Sequence, residues 1–185
     1  MKATLALAAI AGLVSSVSGQ YYGIIAARSA SPIHLAPIAA NGQRLWIGKK
    51  TASYCPANVG DNCPRGKRTT FAGGDGTLGM GTVVPGGQQV YIDPASGAIG
   101  YTQAHSASMP EGAITTGWTL DEDSNPSFGT LDWKRGLLAC STKGNSSKGP
   151  WQIYANLKRI DFGPECLGFS ALTANVTKAS AWQYT

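Results

Sequence analysis

Apolar residues along this chain come in short bursts, each cut off by Gly, Pro, Asn, Asp or Ser before a helical repeat can establish itself. In the first part of the chain the bursts cover residues 22–27, 34–38, 44–47, 89–92, 99–102 and 117–120. Further on they cover residues 129–133, 137–140, 151–155, 166–172 and 181–184. Runs of that length, punctuated in that way, predict β-strands, because none is long enough to repeat every 3.6 residues. The 24 glycines and 10 prolines reinforce this reading by interrupting every longer stretch. Asn41-Gly42, Gly74-Asp75-Gly76, Pro85-Gly86-Gly87 and Ser96-Gly97 fall where hairpin turns are needed. Residues 61–76, rich in Gly, Thr and basic side chains, read as an exposed loop. A strand, Gly-containing turn and strand recur over residues 34–47, 89–101, 128–140 and 151–172. About twelve short strands predict an all-β domain, a β-trefoil-like or related barrel, with a two-sheet β-sandwich as the alternative.

The start of the chain breaks this pattern. Met1 and Lys2 precede an apolar run over residues 3–14, and small residues follow to Gly19. That order predicts a secretory signal peptide over residues 1–19, cleaved after Ser18 or Gly19, since a membrane span needs roughly 20 apolar residues. Residues 20–185 then form a single β-rich extracellular domain, a length suited to one core. The polar stretch over residues 174–185 carries no apolar tail, which argues against a GPI membrane anchor.

Export changes how the four cysteines are read. An even number in an oxidising compartment favours disulfides, and three pairings are formally possible. Pairing nearest neighbours joins Cys55 to Cys63 around a Pro/Gly/Asn-rich loop and Cys140 to Cys166. Loop-closure entropy values these bridges at about 2.5 and about 3.5 kcal/mol. The same compartment makes Asn145-Ser146-Ser147 and Asn175-Val176-Thr177 glycosylation acceptors, whereas Asn125 precedes Pro126 and lacks the pattern.

The formal charge is +5, and Lys2 leaves with the leader. Basic residues are scattered and charged residues make up only 14% of the chain, so nucleic-acid binding is set aside. A weakly cationic surface still suits acidic polysaccharide or phosphorylated glycans.

Catalytic chemistry finds little support. A nucleophile elbow needs Gly-x-Ser-x-Gly, which is missing, and Ser106 or Ser108 beside His105 are neighbours in sequence rather than a triad. His105 and His34 read as ordinary hydrogen-bonding residues. Glycoside hydrolysis requires two opposed carboxylates. Glu111, Asp121, Glu122, Asp123, Asp132, Asp161 and Glu165 are available, and most sit beside turn residues. Asp121-Glu122-Asp123 reads as a solvated loop rather than a calcium site. With no Cys-x-x-Cys pair and no nucleotide loop, neither metal nor cofactor is expected. The 5 Trp and 7 Tyr are all formal candidates for sugar stacking, although Trp46, Trp118 and Trp151 lie in expected strands and are assigned to the interior.

The order Gly100-Tyr101, Gly117-Trp118-Thr119-Leu120, Leu138-Ala139-Cys140, Trp151-Gln152-Ile153-Tyr154-Ala155 and Cys166-Leu167-Gly168-Phe169 resembles the fungal PhiA-type cell-wall proteins. The stretch from Tyr22-Gly23-Ile24-Ile25 to Ser31-Pro32-Ile33-His34 resembles that family as well. More remotely, the second half is similar to the cysteine-containing C-terminal domain of PIR-type mannoproteins. The resemblance implies a secreted, glycosylated, non-enzymatic wall component, linked in the PhiA type to conidium-forming cells and in some members to IgE recognition. PIR-type proteins attach to β-1,3-glucan through Gln-containing repeats, and this chain has none. The expectation is a structural wall protein associating with cell-wall polysaccharide. A lectin-like module or effector is the alternative, and a hydrolase with an unrecognised site comes third.

Overall fold

The first strand shows how the fold is organised. In β1 (Tyr21–Ala27), Tyr22, Ile24 and Ala26 are buried, while Tyr21, Gly23, Ile25 and Ala27 are half-exposed. Only a period of two produces that alternation, and it gives β1 one face in the core and one outside. The computed structural model describes residues 20–64, 66–122 and 128–185. The leader, Arg65, Asp123 and Asn125-Pro126 lie outside the described residues.

Strands follow at β2 (Ala36–Asn41), β3 (Arg44–Ile47), β4 (Ser53–Tyr54), β5 (Phe71–Gly73), β6 (Gly76–Met80) and β7 (Val90–Ile92). Next come β8 (Ile99–Tyr101), β9 (Thr116–Asp121), β10 (Gly129–Trp133) and β11 (Leu137–Ser141). The last are β12 (Trp151–Ala155), β13 (Cys166–Val176) and β14 (Gln183–Tyr184). Twelve of them form one connected sheet, and β14 pairs separately with β4. The all-β expectation holds.

Sheet connectivity turns on β1 and β13, which pair antiparallel along the whole of β1, from Tyr21 opposite Val176 to Ala27 opposite Ser170. On its other edge β1 pairs with β5 through Tyr21 and Tyr22, and with β2 through Ile25 and Ala26. β13 divides likewise between β10 and β11. Two closed circuits result. One runs β1-β2-β3-β12-β11-β13, the other β1-β5-β6-β9-β10-β13, and their perimeter is a ring of ten strands. The core contains Tyr22, Phe71, Tyr101, Trp118, Leu131 and Ile153, all at most 2% exposed.

Two local expectations need correction. Residues 61–76 are not simply an exposed loop: Thr69 and Thr70 are buried, and Phe71 is fully buried on β5 with its ring stacked on Tyr22 at 6.4 Å. One aromatic among Gly and Thr leaves no apolar burst for a sequence pattern to register. The second strand starts at Ala36 rather than at residue 34, because 31–35 forms a turn in which His34 N donates to Ser31 O and Leu35 has a φ of 58°.

Turn chemistry explains the sharpest hairpins. Between β2 and β3 the central pair is Gly42-Gln43, with φ of 62° and 56°, the doubly positive combination of a type I′ turn. The β5–β6 turn depends on Gly74, at a φ of 114°, where an added Cβ would lie 2.8 Å from Tyr22 Oη and 3.1 Å from both Leu120 and Leu131. Gly74→Ala is therefore expected to lower stability by about 1–3 kcal/mol. Urea unfolding checks this, and an unchanged midpoint would contradict it.

Candidate functional site

Outward residues of the central ribbon are unusually apolar. Alternation places Gly23 and Ile25 of β1, Pro37 of β2, and Ala174 and Val176 of β13 on the face opposite the core. A solvated strand face normally carries polar side chains. Here the apolar face is the floor of a cleft of about 1340 Å³.

Two segments wall that cleft, residues 49–53 with 55 and residues 64 with 66–70. Lys49 and Lys50 stand on the first, Lys67 and Arg68 on the second, and Asp, Glu and His are missing from the described residues lining it. Buried Thr69 fastens both walls to β2: its Oγ1 accepts from Ala40 N at 2.7 Å and shares a hydrogen bond with Thr51 Oγ1 at 2.9 Å. Ala52 N donates to Ala40 O at 2.8 Å, and Asn41 Nδ2 to Lys50 O at 3.1 Å. Cys55 and Cys63 are joined, with Cα atoms 6.1 Å apart, so a covalent bridge closes the loop between the walls.

The end of the chain braces this assembly from behind. Ser53 and Tyr54 of β4 pair with Tyr184 and Gln183 of β14, and Tyr184 Oη accepts from Thr70 N at 2.8 Å. Buried Gln88 holds β14 in place: its Oε1 accepts from Tyr184 N at 2.7 Å, and its Nε2 donates to Tyr184 O at 3.0 Å and to Thr102 O at 2.7 Å. Such a satisfied buried amide specifies one arrangement, because moving β14 would leave several polar groups without partners. Tyr101 Oη donates to Thr185 O at 3.0 Å, and burial pushes its phenol above the ordinary range, with Tyr184 adding to the shift.

Trp46 is not in the interior. Leu45 and Ile47 take the buried face of β3, so the same alternation turns Trp46 outward, half-buried. Its Nε1 donates to Asn41 O at 2.8 Å, and Lys49 Nζ lies 3.3 Å from the ring centroid. A cation thus occupies the ring face that a sugar would use. Trp118 and Trp151 are buried, as are Tyr22, Tyr91, Tyr101, Trp133 and Tyr184. Tyr54 is 54% exposed, and it follows Ser53 and precedes Cys55, both of which line the cleft.

The remaining sequence candidates are dispersed. Cys140 and Cys166, directly opposed on β11 and β13, are bonded to each other. Asn145 is exposed in the β11–β12 connection, where its Oδ1 accepts from Ser147 N at 2.9 Å. Asn175 is exposed on β13, between the cleft-lining Ala174 and Val176. His34 is exposed and its Nδ1 accepts from Arg28 N. His105 is exposed in a turn with a φ of 60°, while Ser106 Oγ accepts from Ser108 N. Of the carboxylates, Glu111, Asp121 and Asp161 are exposed, and Glu165 is half-buried. Glu122 accepts from Gln20 Nε2 and Asp132 from Trp133 N. Among the described residues no group of three metal-ligating side chains occurs.

The four cleft cations were missed because they are read as scattered along the chain. A usable signal was present: the dipeptides Lys49-Lys50 and Lys67-Arg68 flank the Cys55–Cys63 loop, so closing that loop brings them to opposite sides of one space.

A family model described as PhiA-like secreted protein matches residues 22–185. A secreted protein of Arthroderma benhamiae is 38% identical over 80% of this chain and 77% of its own. Proteins named cell wall protein phiA are 26% identical in Aspergillus fumigatus, over 100% of this chain and 96% of theirs, and 26% in Aspergillus niger, over 97% and 94%. No solved structure matches.

Proposed function

The chain belongs to the PhiA-like secreted protein family, and from that membership we propose that it is a secreted, non-catalytic structural component of the fungal cell wall that associates with wall polysaccharide. The observation that carries this reading is the near end-to-end match to relatives named cell wall protein phiA. The cleft supports its non-catalytic part. Its described lining offers ammonium groups, hydroxyls and an apolar floor, but no carboxylate pair or imidazole to move a proton. Residues 1–19 act in this reading as the secretory leader, and exposed Asn145 and Asn175 carry N-linked glycans.

Wall fractionation with sequential extraction tests the proposal. The described cysteines are all paired within the chain, so salt and detergent are expected to release the protein from washed walls without reductant. Recovery only from culture fluid would remove the wall assignment. Release only by reductant or mild alkali would replace surface association with a covalent link.

A further inference from the structure

We infer that the cleft lined by residues 49–53, 55, 64 and 66–70 is a binding site for an anionic polysaccharide chain, one carrying carboxylate or phosphate groups along its length, rather than for neutral glucan. This rests on the reading of the protein as a polysaccharide-associated wall component and names the chemistry that the association would use.

Three features of the cleft select that ligand. Its charge is of one sign: Lys49, Lys50, Lys67 and Arg68 all line it, and no acidic side chain is among the described residues that do. Four cations lining one cleft create a positive field that an anion neutralises and a neutral sugar does not. Its floor is apolar, with Ile25, Pro37 and Val176 presenting a surface on which the C–H face of a pyranose can lie while charged groups point to the walls. Its size, about 1340 Å³, exceeds the roughly 300–1,000 Å³ that encloses a small molecule, and so fits several linked sugars.

The walls are also preorganised. Thr69 ties both to β2, the Cys55–Cys63 bridge closes the loop between them, and β14 holds β4 from behind. Lys49 has its ammonium fixed over Trp46, which sets one charge at a defined position. A site already in its bound geometry loses less freedom on association. Asn175 does not obstruct it, because alternation along β13 directs its side chain away from the face of Ala174 and Val176.

Calorimetric titration of the secreted full chain at about 0.15 M salt tests this with three probes: an oligogalacturonate, a mannose-phosphate oligosaccharide and neutral laminarihexaose. The first two arms distinguish carboxylate from phosphate, and binding of either supports the site. Laminarihexaose is expected to bind at least about tenfold more weakly. The double variant Lys50→Glu/Lys67→Glu should weaken anionic binding by about tenfold or more. Lys143→Glu/Lys148→Glu makes the same change in net charge on the exposed β11–β12 connection and should stay within about twofold of the parent. Thermal unfolding confirms that both variants fold.

Equal loss in both doubles, equal affinity for laminarihexaose, or equally tight binding of polyuridylate would overturn the inference, since each shows diffuse charge or generic stickiness. Parallel wall fractionation separates the two claims. Parent protein retained in walls but without cleft-dependent anion binding defeats this inference alone. Parent protein missing from walls defeats the function on which it rests.

Discussion

Tyr22→Ala is expected to destabilise the protein by about 3–5 kcal/mol, among the largest effects any single aromatic truncation here should have. The residue is fully buried on β1 and stands opposite both Asn175 of β13 and Phe71 of β5. Its ring stacks on Phe71, and its hydroxyl donates to Gly73 O at 2.8 Å. Truncation therefore leaves a cavity beside the strand that both circuits share and also frees the β5–β6 turn. Denaturant unfolding should show a single weakened transition, and thermal unfolding a Tm lower by roughly 10 °C or more. A loss below about 1 kcal/mol would mean that the central ribbon does not couple the circuits.

Tyr22→Phe separates the hydroxyl from the ring and should cost only about 1 kcal/mol. It carries a pH signature as well. Burial, helped by the charge of Glu122, pushes the Tyr22 phenol above its ordinary range, so the folded chain keeps a proton that the unfolded chain releases. That stability is present below the unfolded tyrosine pKa of about 10 and is lost as pH rises beyond it. Tyr22→Phe should therefore flatten the alkaline decline. An equally steep decline in the variant would assign it to other groups.

Cys140→Ser/Cys166→Ser is the second large effect, expected at about 3.5 kcal/mol on loop-closure grounds. The bridge joins directly opposed residues of β11 and β13 and closes a loop with a sequence separation of 26. Cys55→Ser/Cys63→Ser, at a separation of 8, should cost less, about 2.5 kcal/mol. The two doubles should also differ in kind. The short loop connects the cleft walls, so its opening should weaken ligand binding more than it weakens the fold, whereas loss of the long bridge acts on the sheet. Non-reducing thermal unfolding of both variants checks the order, and a reversed ranking would refute it.

Elements that announce themselves locally were legible. Residues 44–47, 129–133 and 151–155 have the same bounds in the sequence pattern and in β3, β10 and β12, because each is a burst with turn residues on both sides. β5 was not legible: Phe71 is buried by Tyr22, some fifty positions away, and nothing near it in sequence records that contact. Trp46 shows the opposite failure. Its place in an expected strand assigns it to the interior, yet Leu45 and Ile47 hold that face of β3, and alternation leaves only the outside.

The short apolar bursts and their Gly/Pro punctuation determined by themselves that the described chain is all-β, and the sequence also carries the order of motifs that resembles its family. These are local properties, decided by φ preferences and the period of two. The pairing of β1 with β13, the two circuits they close, and the meeting of Lys49-Lys50 with Lys67-Arg68 over an apolar floor were decided only in three dimensions. The strands join residues whose separation along the chain says nothing of their distance in space; the Cys55–Cys63 bridge draws the two basic dipeptides together, and only the set of strand registers puts the apolar floor beneath them.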